Sequence, residues 1–330
     1  MTTHRQLRAR TRLSLCPSPG PETWNRWLTE LEAAAMSLED FFDLPEYQAR
    51  RFLNHQPAIA RALRQHPVSS DLLDHLVGRM EREHVRLIAI NDPLYPERLL
   101  SELGFQAPTC LYVRGRLSHL RSPTVAMVGA LDPSPRGLES AHAYAGALAR
   151  EGIHVVSGHA RGIDVASHEG ALRAGGSTTL VLPCGIFAFD LAASLQPLAT
   201  HDNTLILSQF APEASPDQGR PILRNTTIAA LADGLIVVES GLLGGSSYAF
   251  RAARRRRKPL WTVIYPEPVP PSAAGNRSLL SAGAEPLEPG AAGAERCAAD
   301  VARRLRAVHS HRAPSAGWPP PDSPGQGELF

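Results

Sequence analysis

The segment SGHARGID (157–164) sets Arg161 between two glycines, after the apolar run IHVV and before VASHEGALRAGG. Arginine carries a planar, permanently charged fork that fits phosphate oxygens. Gly158 and Gly162 allow close backbone approach, and Ser157 adds a hydroxyl. A turn that leads from a strand into a helix also offers free N–H groups and the positive end of the helix dipole. Two other turns have this makeup: VGALDPSPRG (128–137) with Gly129, and ESGLLGGSSYAF (239–250) with Gly244, Gly245, Ser246 and Ser247. RPILRNTTIAALAD adds Arg224 and Asn225 at a helix start. The chemistry in view is anion binding. A single turn of this kind is more often a matter of chain geometry, but three on one edge favour a ligand. Asp164 and His168 stand four apart and share a helix face. An acid–base or metal pair would need a third group, which the sequence does not place. They read as a helix cap and a structural histidine.

The elements that position these turns follow from the hydrophobic pattern. TVAMV, IHVVS, TTLVLP, TLILS, LIVVE and LWTVI are apolar strands that alternate with amphipathic helices over 124–264. This predicts an α/β chain with an extended Rossmann-like, doubly wound parallel sheet covered on both faces. Ligands of such sheets bind beyond the carboxyl ends of the strands, where all three turns fall. Residues 85–120 read as two short strands around a helix. Trp24, Trp27, Leu28 and Leu31 recur at helical spacing, and SLEDFFDL and SSDLLDHLVGRM each open on a capping residue. The expected organisation is a small helical domain over 1–84, a Rossmann-like domain over 85–308, and a disordered Pro/Gly-rich tail over 309–330. The run RRRRKP (254–259) closes a helix begun at the carboxyl edge. It belongs at the opposite edge, as a solvated helix end or a secondary nucleic-acid patch.

Bulk properties narrow the field. The chain has 330 residues, 43% of them hydrophobic, and a net charge of +2 that permits an anionic partner without requiring one. Cys16, Cys110, Cys184 and Cys297 are scattered, with no Cys-x-x-Cys, which argues against a disulfide framework or zinc finger and suits a reducing cytoplasm. The basic start lacks the apolar core of a signal peptide, and no run of about 18 apolar residues predicts a membrane span. Neither a P-loop nor Gly-x-Gly-x-x-Gly occurs, so a standard dinucleotide reading is weak and no cofactor is expected; with no third ligand placed beside Asp164 and His168, no metal is expected.

Five segments in order resemble the DNA-processing protein A family (DprA, also called Smf). YPERLLSELGFQAPTCLYVRG is similar to its Tyr-Pro-x-x-Leu entry. SGHARGIDVASHEGAL is close to its Ser-Gly-x-Ala-x-Gly-Ile-Asp-x-x-Ala-His hallmark. RNTTIAALAD, ESGLLGGSSYAFRAA and GNRSLLSAGAEPL resemble its three later motifs. The resemblance implies an extended Rossmann-like domain behind a helical domain of sterile-alpha-motif type. It also implies a cytoplasmic homodimer that binds single-stranded DNA, helps load the RecA recombinase and catalyses no reaction. Ala130-Leu131, Thr226, Leu243 and Ala249 depart from the family pattern. Three of these departures remove a cation from the edge, and each lost phosphate contact lowers the salt dependence of binding.

Three functional readings follow. The first is a DprA-like single-stranded DNA-binding protein, as a recombination mediator or a mobile-element or phage-defence accessory. The second is a sensor of a small nucleotide in the same pocket. The third, a phosphoribohydrolase, needs an acid after its glycine motif, where this chain has Phe250 and Arg251. The terminal QGELF, through Gln326, Leu329 and Phe330, resembles the sliding-clamp peptide Gln-x-x-Leu-Phe, a motif short enough to arise by chance.

Overall fold

The computed structural model describes residues 3–16, 18–217, 219–242 and 245–311. Apolar strands zip into one sheet of nine, in the order β1-β2-β6-β5-β4-β3-β7-β8-β9. The doubly wound part comprises β3 (Thr124–Val128), β4 (His154–Ser157), β5 (Thr178–Val181), β6 (Thr204–Ser208), β7 (Gly234–Val237), β8 (Leu260–Val263) and β9 (Glu285–Leu287). These seven pair in parallel, as the uninterrupted apolar runs predict. The two strands of the connector, β1 (Arg86–Ala89) and β2 (Cys110–Gly115), join the same sheet antiparallel, with β2 beside β6.

Alternate residues of each strand face opposite layers. Ala126, Val128 and Val156 join the core under α7 (Glu97–Leu103), α10 (Arg220–Leu231), α11 (Ser246–Arg255) and α12 (Asn276–Ser281). Val125, Met127 and Val155 join the core under α8 (Pro135–Arg150), α9 (Ile163–Arg173) and α13 (Gly290–Ser310). Among the described residues, no helix is long and apolar enough to cross a membrane.

Six helices precede the sheet: α1 (His4–Ser14), α2 (Pro21–Ala33), α3 (Leu38–Asp43), α4 (Glu46–Phe52), α5 (Pro57–Gln65) and α6 (Ser70–Arg82). Ser37 and Ser69 cap α3 and α6 through their side chains, as their positions predict. Hydrophobic periodicity did not predict α1, which is mostly polar. It starts instead from a capping box between Thr3 and Gln6 and buries Ala9, Thr11 and Leu13. Trp27 packs edge-on to Trp24 and to Phe41, with centroids 5.7 and 4.9 Å apart. One buried cluster unites Leu13, Trp27, Phe41 and Ile59 with Leu87, Tyr112, Leu180 and Ile206 of the sheet. The helices thus cover the strands that α8 and α9 leave bare.

The basic run divides. Arg254, Arg255 and Arg257 are exposed at the end of α11, as the dipole argument predicts. Lys258 differs: it is 6% exposed and donates from Nζ to the carbonyls of Ala229, Ala230 and Ala232 at 2.7, 3.0 and 2.6 Å. Those carbonyls close α10 and would otherwise be orphaned. Glu102 Oε1 lies 3.2 Å from the ammonium.

Candidate nucleic-acid interface

The turn after β4 is built on an arginine from the opposite layer. Arg224 of α10 runs under Gly158, donates from Nη1 to the Val181 carbonyl at 3.1 Å and lies 3.8 Å from Asp164 Oδ2 on α9. A Cβ on Gly158 would sit 1.2 Å from that Nη1, so the glycine makes room for the guanidinium. Asp164 Oδ2 also accepts from the Ala160 amide at 3.3 Å. One ion pair therefore fastens two strands, the turn and helices of both layers. Burial pushes the Arg224 pKa down and the Asp164 pKa up, and each charge partly offsets the other's shift.

The other polar groups here are also turned inward. Ser157 is fully buried, and its hydroxyl donates to the Met127 carbonyl at 2.5 Å. His159 adopts a left-handed φ of 57° and accepts from the Ala192 amide on Nε2 at 3.1 Å. Burial lowers its pKa to about 4, so the ring is neutral near pH 7. His168 is fully buried with Nδ1 2.6 Å from Thr178 Oγ1. Thr178 gives its only proton to the Val155 carbonyl at 2.9 Å. The imidazole therefore donates from Nδ1, and Nε2 carries the lone pair.

The first turn lies flush against the second. A Cβ on Gly129 would come 2.5 Å from Ile163 Cγ1, and one on Gly162 would come 2.5 Å from the Ala130 carbonyl oxygen. Gly162 also has a φ of +84°, which disfavours a side chain there. The Ile163 amide donates to the Ala130 carbonyl at 3.2 Å, so the first amide of α9 already has a partner. Arg161 projects outward with 71% of its side chain exposed, and Nη2 lies 2.8 Å from Asp132 Oδ2 of the first turn.

Strands β3 and β7 are neighbours whose following helices leave to opposite layers, which creates the crevice where doubly wound sheets usually hold a ligand. A carboxylate fills it. Glu239 is fully buried and accepts from Ser134 Oγ at 2.5 Å, the Ser134 amide at 2.9 Å and Ser272 Oγ at 2.7 Å. A Cβ on Gly137 would lie 2.4 Å from Glu239 Cδ, so the carboxylate rests on the first turn of α8. That is the position a bound phosphate takes at a helix N-terminus.

The third turn is partly pinned. Ser246 Oγ donates to Ser240 Oγ at 2.8 Å, and Asn225 Nδ2 donates to the Gly245 carbonyl at 3.1 Å. Asn276 receives the Ser240 amide at 2.7 Å and donates to the Val238 and Val263 carbonyls, both at 2.8 Å. Helix α11 has no side-chain cap. Gly245 is exposed and Ser247 half-buried at its start. Leu242 and Tyr248 project beside them, and Arg251 lies 5.7 Å from the Tyr248 ring centroid.

The fold thus brings the described candidate residues to one edge but divides them. Arg161, Gly245 and Ser247 face outward. Ser157, Arg224, Asn225 and Ser246, expected as phosphate donors, are buried behind that surface, and Asp164 and His168 lie with them. Gly244, Gln326, Leu329 and Phe330 lie outside the described residues. Sequence reasoning missed Glu239 and Asn276. The available signal for Glu239 was an acid directly after the apolar strand LIVV.

A family model described as DNA recombination-mediator protein A matches residues 86–296. The DNA processing protein DprA of Streptococcus pneumoniae is 34% identical over 177 residues, covering 53% of this chain and 61% of that protein. Protein Smf of Escherichia coli is 30% identical over 212 residues, covering 62% of this chain and 54% of that protein. The chain therefore spans little more than half the length of these relatives. In fold, it is similar to the X-ray structure of DprA from S. pneumoniae (TM-score 0.68, 24% identity, 86% of this chain and 94% of the other). A second similar structure is DNA processing protein A from Helicobacter pylori, described for its single-stranded DNA binding mode (TM-score 0.56, 25% identity, 67% of this chain and 98% of the other). With nearly two thirds of its length matched by the family model and the motifs in order on the expected fold, the chain belongs to the DNA recombination-mediator protein A family, DprA/Smf.

Proposed function

We propose that this protein binds single-stranded DNA along the carboxyl edge of its sheet and acts as a recombination mediator without catalysing a reaction. The observation that carries this reading is Glu239. Its carboxylate occupies the place at the start of α8 where a compact nucleotide would set its phosphate, and like charges repel. The donors left for an anion lie on the rim, among them Arg161, the exposed Arg136 on the first turn of α8 and the uncapped start of α11. A row of phosphates laid across the edge suits that arrangement; a single phosphate in the crevice does not. Glu239 thus counts against the small-nucleotide sensor. Arg224, Asp164 and Ser157 then act as positioning residues, holding the turn that presents Arg161. The Helicobacter pylori relative, described for single-stranded DNA binding, supports the choice of ligand. A homodimer, RecA as partner and a role in mobile elements or phage defence are further parts of this proposal.

The test is a salt titration of labelled single- and double-stranded oligonucleotides. Single strands should bind more tightly, with affinity falling as salt rises. Arg161→Ala should lower the slope of log affinity against log salt by about 0.7. Absence of binding at low salt would sink the reading. Heat released with a mononucleotide, and not with oligonucleotides, would favour the sensor instead.

A further inference from the structure

A second group of exposed cations and rings lies in the N-terminal helices, outside the 86–296 family match. Helix α4 is unusual in having no buried residue. Only Ala49 and Leu53 lean on the core, partly buried, and Leu63 of α5 does the same beside buried Ile59 and Ala62. Helical spacing then puts Tyr47 and Arg51 together on the outward face of α4, four residues apart. By the same geometry Arg61 and Arg64 share the outward face of α5, three residues apart. Tyr47 is 71% exposed and Phe52 40% exposed, so both rings present surface to solvent beside the arginines of the same two helices.

The cations here are free, unlike the outward arginine of the carboxyl edge. Arg51, Arg61 and Arg64 are exposed, and none forms a salt bridge with a described residue. Arg161 by contrast is already held by Asp132. Residues 46–66 contain four arginines, Arg50, Arg51, Arg61 and Arg64, against the single acid Glu46, which Arg50 pairs at 2.5 Å. Unpaired guanidinium groups interleaved with exposed rings meet both halves of one ligand: phosphates take the charges and unstacked bases take the rings. An acidic protein would use the arginines but leaves the rings unexplained. Duplex DNA hides the base faces.

We propose that exposed side chains of α4 and α5 make a second contact for single-stranded nucleic acid, with Tyr47 on the outward face of α4 and Phe52 on its flank stacking bases, and Arg51, Arg61 and Arg64 holding phosphates. It stands independently of the carboxyl-edge reading. A strand long enough to reach both surfaces would be held at two places, which raises affinity beyond either contact.

The experiment uses the full chain and labelled oligodeoxythymidylate, short and long, followed by fluorescence anisotropy across salt. Tyr47→Ala with Phe52→Ala should weaken binding about 25-fold, at about fivefold per stacked base. Arg51→Ala with Arg61→Ala and Arg64→Ala should lower the salt slope by about 2, at about 0.7 per phosphate on a single strand. Because Arg51, Arg61 and Arg64 are exposed, the arginine variant should keep the wild-type urea midpoint; Tyr47→Ala alone, at a ring 71% exposed, should keep it too and still weaken binding about fivefold. Wild-type affinity and slope in both variants would overturn the proposal, whatever Arg161→Ala does. Equal competition by polyglutamate, indifferent to Tyr47 and Phe52, would reassign the face to an acidic protein and also overturn it. Sensitivity to the helix variants with indifference to Arg161→Ala would support this surface and remove the carboxyl-edge reading alone.

Discussion

Gly158→Ala isolates the interaction that organises the carboxyl edge. The added methyl would fall 1.2 Å from Arg224 Nη1, so the guanidinium must leave its place. With the arginine only 5% exposed, the one way out is toward solvent. Leaving breaks the bond to the Val181 carbonyl and removes the cation that faces Asp164, itself 6% exposed. A hydrogen bond to a charged group contributes about 1.5–3 kcal/mol. Stranding one partner of a buried ion pair costs about 3–5 kcal/mol, but Asp164 keeps its Ala160 amide and can take up a proton. We therefore expect a loss of about 2–4 kcal/mol. Arg224→Ala should lose a similar amount for the same reason. The double variant should lose little more than either alone, because a methyl on residue 158 has no guanidinium left to strike. Urea unfolding of the four proteins gives the coupling energy, expected to exceed about 1.5 kcal/mol. Additive losses, or a Gly158→Ala protein within about 0.5 kcal/mol of wild type, would refute this account of the turn.

Three further expectations concern buried polar groups. Glu239→Ala should destabilise by about 2–4 kcal/mol in chemical denaturation, since the Ser134 amide and the Ser134 and Ser272 hydroxyls lose their acceptor. Lys258→Met should cost a similar amount, about 2–4 kcal/mol, read as a lower urea midpoint, because the last carbonyls of α10 lose a shared donor. His159 is held neutral in the folded protein, with its pKa lowered by burial to about 4, whereas the unfolded chain protonates near 6.5. Its stabilising contribution is full above about pH 6.5 and is lost as pH falls towards 4, at up to about 1.4 kcal/mol per pH unit. Burial lowers His168 and His154 too and adds to the same trend, while the raised Asp164 opposes it at the acid end. Urea midpoints should fall with acid across that window, and less steeply in His159→Gln; an unchanged profile in that variant would refute the assignment.

The architecture of the doubly wound part, and the edge at which its turns collect, can be read from the residues alone. A strand buried on both faces must be apolar throughout, so TVAMV, TLILS and LIVVE announce a parallel sheet without any knowledge of partners. Glycines at strand-to-helix turns, and serines ahead of α3 and α6, report local backbone needs that local sequence can express. Helix α1 was less legible because a capping box and three buried residues leave little periodic signal.

Which polar groups face solvent depends on packing between segments far apart in the chain. Arg224 and Arg161 look alike as cations near glycine turns, yet one is a buried fastener and the other an outward charge. Lys258 looked like one more member of a basic run but closes a helix end from inside the core. Glu239 has no motif to mark it in the chain and yet fills the crevice between β3 and β7. The physical reason is common to all of them. Each of these side chains is buried because distant segments supply its partners, and those partners, from Ser134 to Ser272 around Glu239 and from Val181 to Asp164 around Arg224, converge only once the sheet has closed its neighbours together.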